Sequence, residues 1–226
     1  MCGRYSFAPK PKQIDAQLRD IQRPLDLKIS FNIAPTQQAY VIANDQPGLL
    51  QQMQWGLVPH WSASGANAGK LINARSEGIE EKPSFGEPIR SRRCLVPADS
   101  FYEWRSGPGR KKIPYRIHLK SDDLMFMAGI WDEWKKGKES VRSFSIITTA
   151  PNREMETLHN RMPVLLRAEQ QHLWLSSLPL DEVLSLLTTP ADGSLDIYRV
   201  SEKVNGTGYD EADLHDAVPE QPTLFG

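Results

Sequence analysis

The chain has 226 residues, of which 39% are hydrophobic and 24% charged, a composition typical of folded globular proteins. Its net charge of −1 argues against a protein that coats nucleic acid through bulk charge. Two cysteines are too few for a disulfide scaffold or a cysteine-based zinc site, and the longest apolar run, residues 124–131, is too short to span a bilayer. The first dozen residues contain no apolar signal segment. We therefore expect a cytoplasmic protein without membrane contact.

Apolar periodicity predicts one helix near the start of the chain and two near its end. Within residues 11–22, apolar side chains recur at i, i+4 and i+7. Later helices are expected over residues 168–176 and 180–187, and the second of these begins with acids and ends before Pro190.

Short runs rich in β-branched and aromatic residues, bounded by turn residues, predict strands elsewhere. These runs cover residues 39–43, 49–55, 113–119, 124–130, 143–149, 164–166 and 195–200. Strands and helices do not alternate regularly, which argues against a doubly wound parallel sheet. We predict the α+β class, with mostly antiparallel strands forming a barrel-like sheet core and helices at the periphery.

The chain contains no segment with the composition of a domain linker, so we expect a single domain over residues 1–226. Residues 2–209 are expected to form its core. Residues 210–226 hold five acids and no Lys or Arg, and we expect a loosely ordered acidic tail there. The small-residue segment 62–70 is expected to be a flexible loop over a site.

Positive charge is concentrated in residues 89–120, which hold nine Arg and Lys against two acids. Such a stretch can form a phosphate-binding face. Charge alone favours the simpler interpretation, a solvated hairpin rich in Lys and Arg.

The start of the chain, Met1-Cys2-Gly3, carries the clearest chemical signal. Removal of Met1 would leave Cys2 with a thiol and a free α-amine on adjacent carbons. Their ordinary pKa values are about 8.5 and about 7.7–8.0, so a modest downward shift of either gives a nucleophile at neutral pH. Such a group can attack an acyl carbon through sulfur, or condense with an aldehyde to a Schiff base and then a thiazolidine. Taken alone, Cys2 is more simply the residue that follows the initiator.

Two further polar residues stand in stiff surroundings. Glu103 is flanked by aromatic residues and, at strand alternation, shares a face with Phe101. Burial there would raise the pKa of the carboxyl group toward that of a general acid. His159 lies two residues before Arg161 and shortly before Pro163, so a turn can present the imidazole beside a guanidinium.

Phosphate-loop, zinc-protease and serine-hydrolase motifs are absent, and the five histidines lack metal-ligand spacing. The sequence therefore predicts neither a metal nor an organic cofactor.

Six strings occur in order along the chain: CGRY at 2–5, NIAPT at 32–36, WGLVPHW at 55–61, NARSE at 73–77, CLVPADSFYEW at 94–104 and LHNRMPV at 158–164. In this order and spacing they closely resemble the SOS response-associated peptidase (SRAP) family, also called abasic-site processing proteins. The resemblance runs from Cys2 to about Asn205. Ser100 and Gly206 depart from it, since the family usually has Gly and Asn at these positions.

The resemblance implies a protein of the DNA damage response that binds single-stranded DNA containing abasic sites. It would protect the lesion by a covalent thiazolidine crosslink through mature, N-terminal Cys2. Self-removal of Met1 by a peptidase activity and a lyase-like activity are also implied. We expect a monomer that associates with the nucleoid when bound to DNA.

Carried over residue by residue, the resemblance implies that Cys2 is the nucleophile and that Asn73 holds Cys2 and the opened sugar by hydrogen bonds. Glu103 would relay protons to and from the amine and the imine, and His159 would assist opening of the sugar ring. The implied DNA-binding residues are Arg4, Asn32, Pro35, Trp61, Arg75, Trp104 and Arg161. Guanidinium groups suit phosphate oxygens, and the two tryptophans suit base stacking.

Three other functions stay open at this point. A class II glutamine amidotransferase also begins Met-Cys-Gly, but its Arg-Gly loop and Asn-Gly-Glu string have no counterpart in suitable context here. A peptidase that acts only on its own Met1 would use the same nucleophile and acid. A non-covalent binder of modified DNA would act through residues 89–120, and its affinity would depend on salt but not on Cys2.

Overall fold

The computed structural model describes residues 2–65, 69–107, 109 and 112–219. The described residues form five α-helices: α1 (Pro11–Gln17), α2 (Gly86–Ser91), α3 (Arg153–Glu156), α4 (Ala168–Leu175) and α5 (Leu180–Ser185). They form twelve strands: β1 (Tyr5–Phe7), β2 (Ser30–Ile33), β3 (Gln38–Ala43), β4 (Leu50–Trp55), β5 (Asn73–Arg75), β6 (Arg93–Ala98), β7 (Ser100–Ser106), β8 (Lys112–Leu119), β9 (Met125–Lys136), β10 (Glu139–Thr149), β11 (Met162–Pro163) and β12 (Leu195–Arg199). Short 3₁₀ helices lie at Ile79–Glu81, Glu202–Asn205 and Ala212–His215.

Five strands close into a barrel. Their order is β10-β4-β3-β6-β9, and β9 pairs with β10 to complete the ring. The β9–β10 hairpin turns through two residues, of which Gly137 has a φ of 60°, as a tight hairpin requires. The β10–β4 pairing is parallel, and β5 also runs parallel to β10. The barrel is therefore mixed, although most of its pairings are antiparallel.

The second sheet has the order β12-β8-β7-β1-β2 and is antiparallel throughout its described pairings. A large hydrophobic cluster joins this sheet to the barrel, with Tyr5 packed edge-on against Trp55 at a ring distance of 5.0 Å. The predicted α+β class, with a barrel-like core and peripheral helices, is confirmed.

Several element boundaries differ from the sequence prediction. The first helix ends at Gln17 rather than residue 22, but the apolar positions beyond it, Leu18 and Ile21, still pack on the core. Residues 164–166 are not a strand, since β11 stops at Pro163. The unpredicted β1 and β6 are buried at every position, so they show no alternation, and β6 contains Pro97, which is unusual inside a sheet.

The basic stretch does not form one cationic surface. The Arg93 side chain is buried and donates to the backbone oxygens of Ile89, Arg90, Trp174 and Ser176. Arg92 pairs with Glu87 and Asp132, and Arg116 pairs with Asp99. These three charges have partners within the fold, so they are not part of a phosphate-binding face; Arg110 and Lys111 lie outside the described residues.

The acidic tail is packed against the second sheet over its described part. Leu214 is buried in a cluster with Tyr102, Val200 and Val204, and the Val218 N–H donates to the Arg199 carbonyl at 2.9 Å. The expectation of a loosely ordered tail is therefore wrong for residues 210–219. It rests on the acidic residues alone and does not consider Leu214, which packs on the second sheet. Residues 220–226 lie outside the described part.

The predicted loop at 62–70 begins with an anchor, since Trp134 Nε1 donates to the Ser62 carbonyl at 2.8 Å. Its residues 66–68 lie outside the described part. Among the described helices, none combines the length and the apolar character needed to cross a membrane.

Candidate active site

The N-terminal segment runs along β7 and brings Cys2 toward Glu103. The Tyr102 N–H donates to the Arg4 carbonyl at 2.9 Å, one residue before β1 pairs with β7. Continuing that antiparallel register places Gly3 opposite Glu103. The candidate nucleophile and the candidate acid are thus brought together by strand pairing.

Asn73 joins this segment to the barrel. It is the first residue of β5, and its Nδ2 donates to the Cys2 carbonyl at 2.8 Å. This contact is the one that the sequence predicted for Asn73. The site therefore lies where the second sheet meets the barrel. Glu103 of the second sheet and Asn73 of β5 both lie next to the segment that carries Cys2.

The Cys2 thiol is fully buried, and its Sγ lies 3.8 Å from the Arg4 carbonyl oxygen. Burial raises the pKa of this thiol well above its usual value, and the nearby Glu103 carboxylate adds to the rise. With Met1 attached, the thiol is therefore protonated at neutral pH; the lowered pKa considered for mature Cys2 stays a prediction.

A cleft of about 520 Å³ adjoins this junction and is lined by Glu103, Trp104, Lys112, His159 and Asn205. We call it the reactive pocket. Glu103 is only 3% exposed, so its carboxylate lies at the protein side of the pocket rather than in solvent. The pocket contains two of the four predicted catalytic residues, Glu103 and His159.

His159 follows α3 and is oriented by its own turn. The Arg161 N–H donates to His159 Nδ1 at 3.0 Å. Because Nδ1 accepts this bond, the neutral imidazole carries its proton on Nε2. The imidazole thus contacts the Arg161 backbone, whereas the Arg161 guanidinium bonds to Glu77 and Thr148.

A second cleft of about 770 Å³ is lined by Arg75, Glu77, Lys82, His159, Asn160 and Arg161. We call it the cationic cleft, because three of its side chains are cations and one is a carboxylate. His159 lines both clefts, so they meet at this side chain. Two of the predicted phosphate-binding arginines, Arg75 and Arg161, face the same space.

Trp104 is positioned by the C-terminal segment. Its Nε1 donates to Asn205 Oδ1 at 2.7 Å, and the Arg4 guanidinium lies 5.9 Å from its ring centroid. Trp104 is half-buried and lines the reactive pocket. Asn205 therefore contacts the site although Gly206 replaces the usual asparagine beside it.

Arg4 and Asn32 lie inside the protein rather than on a DNA-facing surface. Arg4 Nη1 donates to Asn32 Oδ1 at 2.7 Å and to the Val204 carbonyl at 2.6 Å. Asn32 Nδ2 in turn donates to the carbonyls of Gly206 and Tyr209. Both residues are buried, so their predicted DNA contacts do not fit this placement, and the geometry assigns them to holding the segment that carries Asn205.

Pro35 and Trp61 line neither of these clefts. Pro35 precedes Thr36, whose φ of 75° is unusual for a β-branched residue. Trp61 is 58% exposed on the turn after β4, where it can meet a ligand but has no described contact with the catalytic residues.

Sequence reasoning gave no role to Glu77, Lys82 or Asn160 in this site, and it considered Lys112 only as part of the basic stretch 89–120. Glu77 stands in the NARSE string and Asn160 in the LHNRMPV string, so a signal existed for both. Lys82 and Lys112 lie outside those strings. Within the described ranges, His, Cys, Asp and Glu side chains form no group of three suited to a metal ion.

Comparison with known proteins places the chain in a family. The family model "SOS response associated peptidase (SRAP)" matches residues 1–207. The chain is 40% identical over 212 residues to the abasic site processing protein YoqW of Bacillus subtilis, covering 91% of this chain and 94% of that protein. It is 32% identical over 261 residues to the abasic site processing protein HMCES of Mus musculus, covering 92% of this chain and 73% of that protein. A crystal structure of a Bacteroides thetaiotaomicron protein superposes with a TM-score of 0.84 at 30% identity, covering 96% of this chain and 100% of that one.

Proposed function

Because the chain belongs to the SOS response associated peptidase (SRAP) family, we propose that it processes abasic sites in single-stranded DNA by bonding covalently to the opened sugar through Cys2. The observation that carries this proposal is the meeting of Cys2, Asn73 and Glu103 at one junction, beside a pocket that opens onto a cationic cleft. The relatives named as abasic site processing proteins support abasic DNA as the partner.

In the proposed reaction, loss of Met1 first frees the α-amine of Cys2. The amine adds to the aldehyde carbon of the ring-opened sugar and one water leaves, which gives an imine. Sγ then adds to the imine carbon while the thiol proton passes to the imine nitrogen, which closes a five-membered thiazolidine. Aminothiol and aldehyde thus give thiazolidine and one water, and no oxidant or reductant is consumed.

The raised pKa of the Cys2 thiol means that the reaction needs a proton acceptor near sulfur. The buried Glu103 carboxylate suits that role, and in its protonated form it can donate when water leaves. Asn73 fixes the Cys2 carbonyl, which limits the orientations open to the amine and the thiol. His159, with its proton on Nε2, suits proton transfer to a sugar oxygen.

The DNA strand would run from the reactive pocket into the cationic cleft. The two clefts meet at His159, so a sugar held beside Glu103 has its neighbouring phosphates near Arg75 and Arg161. Phosphate contacts of this kind fix register without reading sequence. Trp104 offers a flat ring at the pocket edge for a base beside the lesion.

We also propose that the chain removes its own Met1, because the Cys2 thiol is covalently adjacent to the bond to be cleaved and lies near the Glu103 carboxylate. In a strain with active methionine aminopeptidase, retention of Met1 by Cys2→Ala and Glu103→Ala proteins would support self-cleavage. Its loss from both variants would assign the removal to the cellular enzyme.

The crosslinking proposal is tested by incubating the Met-free protein with a single strand that contains one abasic site, followed by a denaturing gel. A shifted, denaturation-resistant band should form with the parent protein and with Cys94→Ala, which removes the other buried cysteine. It should be absent with Cys2→Ala and with an intact strand. An equal band from Cys2→Ala would overturn the proposal.

A further inference from the structure

An exposed carboxylate holds Arg161 in the middle of the cationic cleft. Arg161 Nη1 and Nη2 donate to Oε1 and Oε2 of Glu77 at 2.6 and 2.8 Å. A guanidinium binds a phosphate through the same two-pronged arrangement. Glu77 thus occupies the position on Arg161 that two phosphate oxygens would take.

The two partners of this ion pair are held unequally. The Arg161 side chain is 14% exposed, whereas that of Glu77 is 59% exposed. Arg161 Nη2 also donates to the Thr148 carbonyl on β10 at 2.6 Å, a bond that does not depend on Glu77. Arg161 therefore keeps an anchor when the pair opens, while Glu77 can swing into solvent at low cost, as is usual for exposed ion pairs.

Glu77 is charged whenever DNA would bind. The bonds from Arg161 hold the pKa of its carboxyl group below the usual value. Among the described side chains that line this cleft, Glu77 is the one carboxylate, and Arg75, Lys82 and Arg161 are the cations. Its negative charge opposes the approach of a phosphodiester to the same three cations.

We propose that Glu77 competes with the DNA phosphate for Arg161 and thereby weakens non-covalent binding of every single strand, damaged or intact. Intact strands then dissociate quickly, and lasting association depends on the covalent step at Cys2. This inference deepens the proposed function and rests on it. It assigns to the Glu77 carboxylate a weakening of non-covalent binding, so that only a covalently bound strand remains associated for long.

Competition between the Glu77 carboxylate and a phosphate reduces the dependence of the binding affinity on salt concentration. The Arg161–Glu77 pair is neutral overall, so a phosphate that displaces Glu77 neutralises one negative charge and frees another, and few of the cations condensed on the DNA are released. Arg161 then adds little to the salt dependence of the affinity. Without the Glu77 charge, Arg161 behaves as an ordinary phosphate contact, worth a slope of about −0.7 in log affinity against log salt on a single strand.

The test measures binding of an intact oligonucleotide by fluorescence anisotropy over a salt series, in the Cys2→Ala background so that no covalent bond forms. Glu77→Gln, which keeps an oxygen acceptor for Arg161, should bind about fivefold more tightly at low salt, the upper range for an exposed ion pair. Its slope should be steeper by about 0.7. In the Arg161→Ala background the same substitution should give a clearly smaller gain, because only the repulsion between the Glu77 charge and the phosphodiester is then removed.

Glu169→Gln is the matched control, because Glu169 forms an exposed pair with Arg167 on α4, outside both clefts. It should change neither affinity nor slope. Equal or weaker binding by Glu77→Gln, or no measurable binding by any of the proteins, would overturn the inference. Failure of the proposed function has a different signature, namely the absence of an adduct between the Cys2-containing parent and an abasic strand.

Discussion

The reactive pocket and the cationic cleft share His159 but are built in opposite ways. Around the pocket, Cys2 and Glu103 are buried and are brought together by the pairing of β1 with β7. In the cleft, Arg75 and Glu77 are exposed; Arg75 is the last residue of β5 and Glu77 follows that strand. Burial raises the pKa of the Cys2 thiol in the pocket. The exposed charges of the cleft interact with DNA through solvent, so salt screens them. In the proposed function, covalent reactivity and DNA affinity therefore depend on different residues, and we expect mutations to separate them.

The largest expected effect separates the two regions through Glu103. Glu103→Gln removes the proton relay, and the rate of adduct formation should fall by about 10²- to 10⁴-fold, the usual contribution of general acid–base catalysis. Non-covalent affinity should change little, because the side chain lies away from the cleft that binds phosphate. Single-turnover kinetics and anisotropy measure the two quantities. Glu133→Gln on β9, which removes a carboxylate outside both clefts, is the control; equal losses of rate and affinity in Glu103→Gln would remove its chemical role.

Arg75→Ala tests the same separation of crosslinking rate from DNA affinity, now with a residue of the cationic cleft. Loss of one charged phosphate contact should weaken non-covalent binding about tenfold at low salt, and the slope of log affinity against log salt should become shallower by about 0.7. The crosslinking rate at saturating DNA should fall far less than the affinity. A salt titration checks this result, and a slope identical to that of the parent would exclude a phosphate contact at Arg75.

Asn205 connects the C-terminal segment to the pocket and should give a smaller effect. Asn205→Ala removes the acceptor for Trp104 Nε1, and loss of one hydrogen bond of about 1 kcal/mol corresponds to about a fivefold loss in crosslinking efficiency at low DNA concentration. Asn205→Asp keeps an oxygen acceptor and should restore most of it. Similar activity in the parent and Asn205→Ala would show that Trp104 is held by its other contacts.

The smallest expected effect at neutral pH concerns the stability of the segment that holds His215, because this effect develops only below about pH 6.5. Burial lowers the pKa of His215 to about 4, with Asp99 opposing the shift, whereas the unfolded chain has a histidine pKa near 6.5. Between about pH 6.5 and pH 4 the unfolded chain binds the extra proton, so the free energy of unfolding falls as pH falls, by at most about 1.4 kcal/mol per pH unit. Above this range His215 contributes no slope.

Denaturant titrations of the parent and His215→Gln over this pH range measure that contribution. The variant should show a flatter dependence of the unfolding free energy on pH, while His172→Gln, which alters an exposed histidine on α4, should retain the slope of the parent. Parallel curves for the parent and His215→Gln would contradict the assignment.

The sequence located the candidate catalytic residues better than it predicted the contacts that hold them in place. Ordered motifs identified Cys2, Asn73, Glu103 and His159, and the structure brings Cys2, Asn73 and Glu103 to one junction and Glu103 and His159 to one pocket. Long strands such as β10 were found because β-branched residues mark them. The very short β1 has three buried residues and no alternation, so periodicity could not reveal it.

The errors have a common physical origin in what polar side chains bind. A guanidinium recognises a phosphate and a backbone carbonyl with the same donors, so Arg4 resembled a DNA contact although it bonds to Val204. The acidic residues of 210–219 suggested a solvated tail, but a single buried leucine, Leu214, docks it beside Tyr102. Sequence chemistry indicates which group a residue carries, and only the fold determines which partner it meets.

The most direct test of the central claim is the intact mass of the expressed chain before and after incubation with an abasic single strand. The account predicts a protein that lacks Met1 and then gains the mass of the DNA minus one water, with the modification on the N-terminal Cys2 peptide after digestion. A chain that retains Met1 yet forms the adduct, or a Met-free chain whose adduct maps to any other residue, would contradict it.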